Sequence, residues 1–86
     1  MKRIVSFDLY EGSAADVLDG LAPYRSMPGV RSVELLAAVE GSPRYCIVFD
    51  LEDDADAALA GRLEAARAPH AAYLGGYTSR AFRKVG

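Results

Sequence analysis

Four stretches of the chain alternate between apolar and polar residues with the two-residue period of a β-strand. They are residues 2–10, 30–40, 44–52 and 77–85. Two stretches with helical spacing separate them, the first beginning near Ser13 and the second running from Asp53 or Asp54 to Pro69. The pattern predicts the element order βαββαβ.

Local signals place the ends of the two helices. Ser13 with Asp16 three positions later predicts a capping box at the first helix, and Pro23 predicts a kink or break near Ala22 because it removes a backbone donor. Asp53 or Asp54 is expected to cap the second helix, and Pro69 to end it. Residues 70–76 fit a loop, a short helical turn or the start of a strand.

The second and third strands should form a hairpin around Gly41-Ser42-Pro43. A three-residue loop keeps the hydrophobic faces together. The predicted cross-strand pairs are Val39 with Tyr45, Ala37 with Ile47 and Leu35 with Phe49. On the other face the same register sets Glu34 opposite Asp50, where two like charges would repel unless an arginine neutralises them, they share a proton, or solvent screens them at the sheet end.

This order predicts a single ferredoxin-like α+β domain over residues 1–86, with both helices on one face of a four-stranded antiparallel sheet. Right-handed crossovers give the strand order 4-1-3-2. The helices should cover a core of alternate strand residues: Val5, Phe7, Leu9, Val33, Leu35, Tyr45, Ile47, Phe49 and Leu51.

The opposite, helix-free side of the predicted sheet mixes apolar and polar residues. Its apolar members are Ile4, Tyr10, Leu36, Ala38, Cys46 and Val48. Together they form a larger apolar patch than soluble monomers usually expose to water. A small domain also gains stability from association. We therefore predict that a second copy covers this side, sheet against sheet, under a twofold axis.

Composition narrows the partners further. The 86 residues are 51% hydrophobic and 26% charged, with a formal net charge of −2, so neither nucleic acid nor an anionic membrane is an expected partner. The single cysteine cannot form an internal disulfide, and the chain opens on no signal-like segment. The expected location is the cytoplasm.

Three strings resemble the dimeric α+β barrel superfamily: Met27 to Leu35, Tyr45 to Glu52 leading into an Ala-rich helix, and Gly75-Gly76-Tyr77 before the last strand. That group includes the antibiotic-biosynthesis monooxygenase, EthD-like, stress-responsive barrel and REDY-like proteins. The resemblance implies a homodimer with a ligand pocket between sheet and helices or within the barrel. It also implies oxidation, cyclisation or decarboxylation without metal or organic cofactor.

His70 is the sole histidine, and its ordinary pKa lies near neutrality. With Tyr73 three residues on, it could form a base and a hydrogen-bond donor at a pocket mouth; the alternative is a histidine that bonds the carbonyls ending the second helix. Asp8 is a candidate proton acceptor if a partner sheet covers it, and the alternative is an ion pair with Arg44.

The remaining predicted ligand-binding residues lie on the helix-free side or at the start of the last strand: Ser6, Tyr10, Glu34, Leu36, Arg44, Cys46, Val48 and Tyr77. Cys46 has no cation or histidine beside it in sequence, so a packing role is favoured over a nucleophilic one. The sequence shows no spacing of ligands typical of a metal site.

Two functions follow. The first is a homodimer that binds a small, mostly apolar molecule of aromatic or polyketide-like type, with cofactor-independent oxygenase, cyclase or decarboxylase chemistry open to it. The alternative is a non-catalytic association or regulatory domain with no ligand cavity. Whether the chain is an enzyme depends on which of these holds.

Overall fold

Four strands and three α-helices make up the fold in a computed structural model that describes residues 1–41 and 44–86. The strands are β1 (Lys2–Leu9), β2 (Val30–Ala37), β3 (Arg44–Leu51) and β4 (Leu74–Phe82), and the helices are α1 (Ala14–Gly20), α2 (Ala22–Arg25) and α3 (Asp56–Arg67). The antiparallel sheet has the order β2-β3-β1-β4. The predicted ferredoxin-like topology and strand order are confirmed.

The first helical segment begins and breaks where its sequence indicates. The Ser13 hydroxyl accepts from the Asp16 N–H at 3.3 Å, and the Asp16 carboxylate accepts from the Ser13 N–H at 3.2 Å, which completes the predicted capping box. The segment divides into α1 and α2 at Leu21, with Pro23 in the first turn of α2. Proline is tolerated there because first-turn N–H groups have no helical partner.

The core lies between the sheet and the helices, on the face that alternation predicts. Leu21 and the two leucines of α3, Leu59 and Leu63, close over it. The buried apolar residues are Val5, Phe7, Leu21, Val33, Ile47, Phe49, Leu51, Ala55, Leu59 and Leu63, with Leu9, Leu35 and Tyr45 packed against them. The predicted core is thus confirmed.

The predicted hairpin register is wrong by two residues. Ala37, not Val39, lies opposite Tyr45, and Glu34 lies opposite Val48, so the expected repulsion with Asp50 does not arise. A shift of two leaves every side chain on its original face, so hydrophobic matching alone does not distinguish the registers. The hairpin closes with an Ala38 N–H donating to the Arg44 carbonyl at 2.8 Å.

Val39, expected within the strand, lies in the connection instead and is 98% exposed. Of the predicted turn, Ser42 and Pro43 lie outside the described residues.

The second helix and the last strand also depart from prediction. Residues Asp53–Ala55 form a 3-10 turn, and α3 begins at Asp56 without a side-chain cap, so the expected capping by Asp53 or Asp54 is wrong. A second 3-10 segment, Ala68–Tyr73, follows α3. The last strand begins at Leu74 rather than residue 77 and ends at Phe82, because Phe82 pairs with Lys2, the first residue of β1.

The strands present a second, uncovered surface that we call the helix-free face. Cross-strand partners point to the same side of a sheet, and those partners carry this face from β2 to β4. Its members are Lys2, Ile4, Ser6, Asp8, Ser32, Glu34, Leu36, Arg44, Cys46, Val48, Asp50, Thr78, Arg80 and Phe82. Of the residues predicted on this side, Ala38 lies beyond the end of β2.

Over residues 1–41 and 44–86, no helix is long and apolar enough to cross a membrane.

Candidate ligand-binding cavity

A cavity of about 550 Å³ lies between the sheet and the helices. Its floor is the core face of β1, formed by Val5, Phe7 and Leu9. Leu63 and Ile47 extend this apolar surface. A mostly apolar pocket of this volume is of the size that binds small molecules in proteins.

The short first helix makes room for this cavity. Val17 and Gly20 of α1 line it, and no residue of α1 is fully buried. A side-chain carbon built at Gly20 would meet no atom within 4 Å. The wall formed by α1 therefore contacts the core through the partly buried Val17 and leaves open space at Gly20.

Polar side chains of different chemistry border the two sides of the cavity. Glu11 and Asp16 lie on the side of α1, whereas Arg67 and His70 lie at the end of α3 and in the segment that follows it. The rim thus carries two carboxylates beside the first helix, and a guanidinium and an imidazole beside the third.

Two contacts hold the Arg67 side chain on the α3 side of the cavity. Its guanidinium lies 4.7 Å from the centre of the Tyr77 ring, and its Nη1 makes an ion pair of 3.0 Å with Glu64. Its Nε is buried without a hydrogen-bond partner among the described residues. Burial in this wall raises the pKa of Tyr77 above its ordinary value, so the phenol presents a neutral hydroxyl at physiological pH.

The structure brings together three of the predicted site residues. His70, Tyr73 and Tyr77 all line the cavity, the first two from the Ala68–Tyr73 segment and the third from β4. The hydrogen bonds of the described residues include none from the His70 side chain to the carbonyls that end α3. The imidazole is exposed at the rim.

The other predicted residues lie away from this cavity. Tyr10 follows β1, is exposed, and packs its ring against Gly75. Those on the helix-free face are Ser6, Asp8, Glu34, Leu36, Arg44, Cys46 and Val48.

Asp8 and Arg44 are paired on that opposite face. They are cross-strand partners, and an Arg44 Nη1 lies 3.3 Å from an Asp8 carboxylate oxygen. Arg44 Nη2 also donates to the Gly76 carbonyl at 3.0 Å. The ion pair predicted as the alternative for Asp8 is confirmed, and it separates this carboxylate from His70 and Tyr73 by the thickness of the sheet.

Comparison with known proteins agrees with this architecture. No protein-family model matches the chain, and no curated protein is significantly similar to it. A solved structure does match: an arginine-to-serine mutant of MhuD with two manganese protoporphyrin IX molecules bound per active site. The two share 25% sequence identity with a TM-score of 0.54, over 99% of this chain and 97% of that one.

The resemblance to the dimeric α+β barrel superfamily is confirmed. The match extends over nearly the whole chain, so the sheet and the helices that line the cavity all belong to the shared fold.

Sequence reasoning missed the residues that shape the cavity: Val17, Gly20 and Arg67. One signal was available for Gly20, because a glycine within an apolar helical stripe removes the side chain that would fill the space beneath it. Arg67 gave a weaker signal through its i,i+3 spacing from Glu64.

A metal ion in the cavity would have to be coordinated by a bound organic molecule or by His70. Within residues 1–41 and 44–86, no group of three or more His, Cys, Asp or Glu side chains is placed to hold a metal ion.

Proposed function

We propose that this protein binds a flat, mostly apolar molecule of porphyrin size in the cavity between sheet and helices. The observation that carries the proposal is the cavity itself, about 550 Å³ with an apolar floor and a polar rim. The MhuD structure supports the class of ligand, because it holds a metalloporphyrin in its active site on the same fold.

The residues of the cavity fit a metalloporphyrin. The floor formed by β1 offers an apolar surface to the macrocycle, and His70 supplies an imidazole nitrogen of the kind that coordinates porphyrin metals. Arg67 supplies a cation for a carboxylate of the ligand. A bound iron porphyrin would bring one-electron and O₂ chemistry, whereas this chain would position it and exclude water.

Cofactor-independent oxygenase, cyclase or decarboxylase chemistry stays a prediction for the same site. His70 and Tyr73 would serve there as base and hydrogen-bond donor toward an aromatic or polyketide-like substrate. Ligand binding is favoured over the alternative of a cavity-free association domain because the fold forms an open cavity of ligand size.

The test is a titration with hemin that uses two matched glycine variants. Gly20→Leu adds a side chain directly into the cavity, while Gly61→Leu adds the same side chain to α3 outside it; a carbon at either position meets no atom within 4 Å. Both variants should fold, because leucine favours helix over glycine.

We expect wild type and Gly61→Leu to shift the Soret band of hemin with the same saturable affinity. Gly20→Leu should bind about 5- to 150-fold more weakly, since overpacking of this kind costs about 1–3 kcal/mol. Hemin binding that does not saturate, or that is equal in the two leucine variants, would contradict the proposal.

We also propose that the chain functions as a homodimer through the helix-free face, as its sequence predicts. Support comes from the apolar side chains that the face leaves in solvent, including Leu36 at 48% exposure, and from the superfamily fold. Leu36→Glu should therefore weaken dimerisation, measured by sedimentation.

A further inference from the structure

Charged side chains on the two sides of the cavity rim do not pair with one another. Glu11 and Asp16 line the cavity beside α1, and Arg67 lines it at the end of α3. The ion pairs of the described residues include none that joins these two sides. The opening between the two sides therefore remains accessible to the charged group of a ligand.

The α3 side of the rim offers one fixed positive charge. Among the described residues that line the cavity, Arg67 alone is charged positively at every working pH. Its Nη1 is engaged by Glu64 at 3.0 Å, and its guanidinium packs on the Tyr77 ring. Within residues 1–41 and 44–86, the bond to Glu64 is the only side-chain hydrogen bond that Arg67 makes. Because the side chain is 35% exposed, its Nη2 can donate to one anionic group of a ligand.

The α1 side of the rim presents carboxylates that no cation neutralises. Glu11 is exposed, and in the part of the chain that the structure describes neither Glu11 nor Asp16 takes part in an ion pair. The Asp16 carboxylate accepts a hydrogen bond from the Ser13 N–H at 3.2 Å, which orients the group but leaves its charge in place. This side of the rim therefore repels anions.

The balance of charge limits how many anionic groups a ligand can bring. With Glu64 included, three carboxylates border the rim around the Arg67 guanidinium. One anionic group of a ligand can pair with Arg67. A second would lie near Glu11 or Asp16, where like charges repel, or against the apolar floor, where an unpaired charge is costly to bury.

We propose that the cavity selects ligands that carry a single anionic group at one edge of an otherwise neutral, apolar body. Arg67 binds that group, and Glu11 with Asp16 disfavours a second one. The inference rests on the proposed function, because it assigns the charge of a molecule that the cavity must first bind. For a ligand of porphyrin size, the favoured class is a cyclic tetrapyrrole with one free carboxylate.

The experiment compares metal-free protoporphyrin IX with its monomethyl and dimethyl esters in fluorescence titrations at pH 8. The three share one macrocycle and carry two, one and no carboxylates, and the absence of a metal excludes coordination by His70. Wild type should bind the monomethyl ester about threefold or more tightly than the diacid, and about fivefold or more tightly than the dimethyl ester. The weak binding of the dimethyl ester separates charge from the added apolar surface of the ester groups.

Three variants assign the selection to the rim. Glu11→Gln should reduce the preference for the monomethyl ester over the diacid by about twofold or more. Asp19→Asn removes the same charge from an exposed site on α1 that does not line the cavity, so it should leave that preference unchanged. Arg67→Gln should lose at least about fivefold more affinity for the monomethyl ester than for the dimethyl ester. Circular dichroism checks that every variant is folded.

Several results would overturn the charge selection and leave the cavity as a porphyrin site. They are a diacid that binds wild type as tightly as the monomethyl ester, equal preferences in Glu11→Gln and Asp19→Asn, or equal losses for the two esters in Arg67→Gln. If none of the three porphyrins binds with saturation, the proposed function fails and this inference fails with it.

Discussion

Replacing Asp56 with asparagine should destabilise the fold by about 2–3 kcal/mol at neutral pH. Asp56 opens α3 and accepts two hydrogen bonds from the Arg3 guanidinium on β1, at 2.7 Å from Nε and 2.8 Å from Nη2. Arg3 Nη1 also donates to Ser79 Oγ of β4 at 3.0 Å. One arginine therefore connects a central strand, an edge strand and a helix.

The magnitude follows from the burial of this pair. The side chains of Arg3 and Asp56 are only 13% and 17% exposed, so the pair lies between an exposed ion pair of 0–1 kcal/mol and a fully buried one whose disruption costs about 3–5 kcal/mol. Hydrogen bonds to charged groups contribute about 1.5–3 kcal/mol. A loss of about 2–3 kcal/mol should lower the melting temperature by roughly 8–24 °C.

The hydrogen bonds from Arg3 also hold the pKa of Asp56 below its ordinary value of 3.8. A carboxyl with a lowered folded-state pKa stabilises the fold above its unfolded pKa, and this stabilisation is lost as the pH falls through the folded pKa. Urea unfolding followed by circular dichroism should therefore show the largest gap between wild type and Asp56→Asn near neutral pH. The gap should narrow below about pH 4.

Two controls isolate the ion pair. Asp53→Asn removes a carboxylate that is 64% exposed and should cost no more than about 1 kcal/mol. In an Arg3→Met background, which keeps most of the apolar stem, Asp56→Asn should cost much less than in wild type. Equal unfolding midpoints for wild type and Asp56→Asn at pH 7, or a gap that does not narrow in acid, would refute the reasoning.

Three further predictions use the same unfolding assay or the hemin titration. Gly29→Ala should cost about 2–4 kcal/mol, because Gly29 has φ +83° and an added carbon would lie 2.7 Å from the Ala55 Cβ. Gly61→Ala, within α3, should instead gain up to about 1 kcal/mol, and a Gly29→Ala variant as stable as wild type would contradict this prediction. Burial raises the pKa of Tyr77 above its ordinary value of 10.0. Just above pH 10 the phenol therefore ionises only in the unfolded protein, so the free energy of unfolding falls as the pH rises. Tyr77→Phe should lose less stability than wild type over this pH range. His70→Ala should change stability by no more than about 0.5 kcal/mol because the side chain is exposed, yet alter the Soret band of bound hemin while leaving metal-free protoporphyrin binding unchanged.

The core could be predicted because strand alternation is a local property. Val5 and Phe7 on β1, and Ile47 and Phe49 on β3, face the helices as their spacing indicates. The break between α1 and α2 followed equally from Pro23, whose missing N–H acts on the backbone directly.

Properties that depend on distant parts of the chain could not be predicted in the same way. The register of β2 on β3 differs by two residues from the expected one, a change that leaves the hydrophobic faces unaltered. Asp56 is held by Arg3, 53 residues away, and no local capping rule anticipates that partner.

The sequence predicted only some residues of the candidate site, because the position of the cavity also depends on distant parts of the chain. The sequence analysis placed most ligand-binding residues on the uncovered side of the sheet. The cavity lies on the covered side, where His70, Tyr73 and Tyr77 line it. A hydrophobic pattern shows which residues face a helix, but it does not show how far that helix lies from the sheet. The gap beneath Gly20 becomes visible only in three dimensions.

The weak packing of α1, which has no fully buried residue, has a consequence for its motion. With no fully buried side chain, this helix has little apolar area to keep it closed, so it belongs to the class of segments that open locally while the rest of the fold persists. Its amides should exchange with solvent deuterium sooner than those of β1 or β3, and an occupant of the cavity should slow that exchange. Helix α1, which would open to let a ligand enter, would then be the part of the molecule that ligand binding makes rigid.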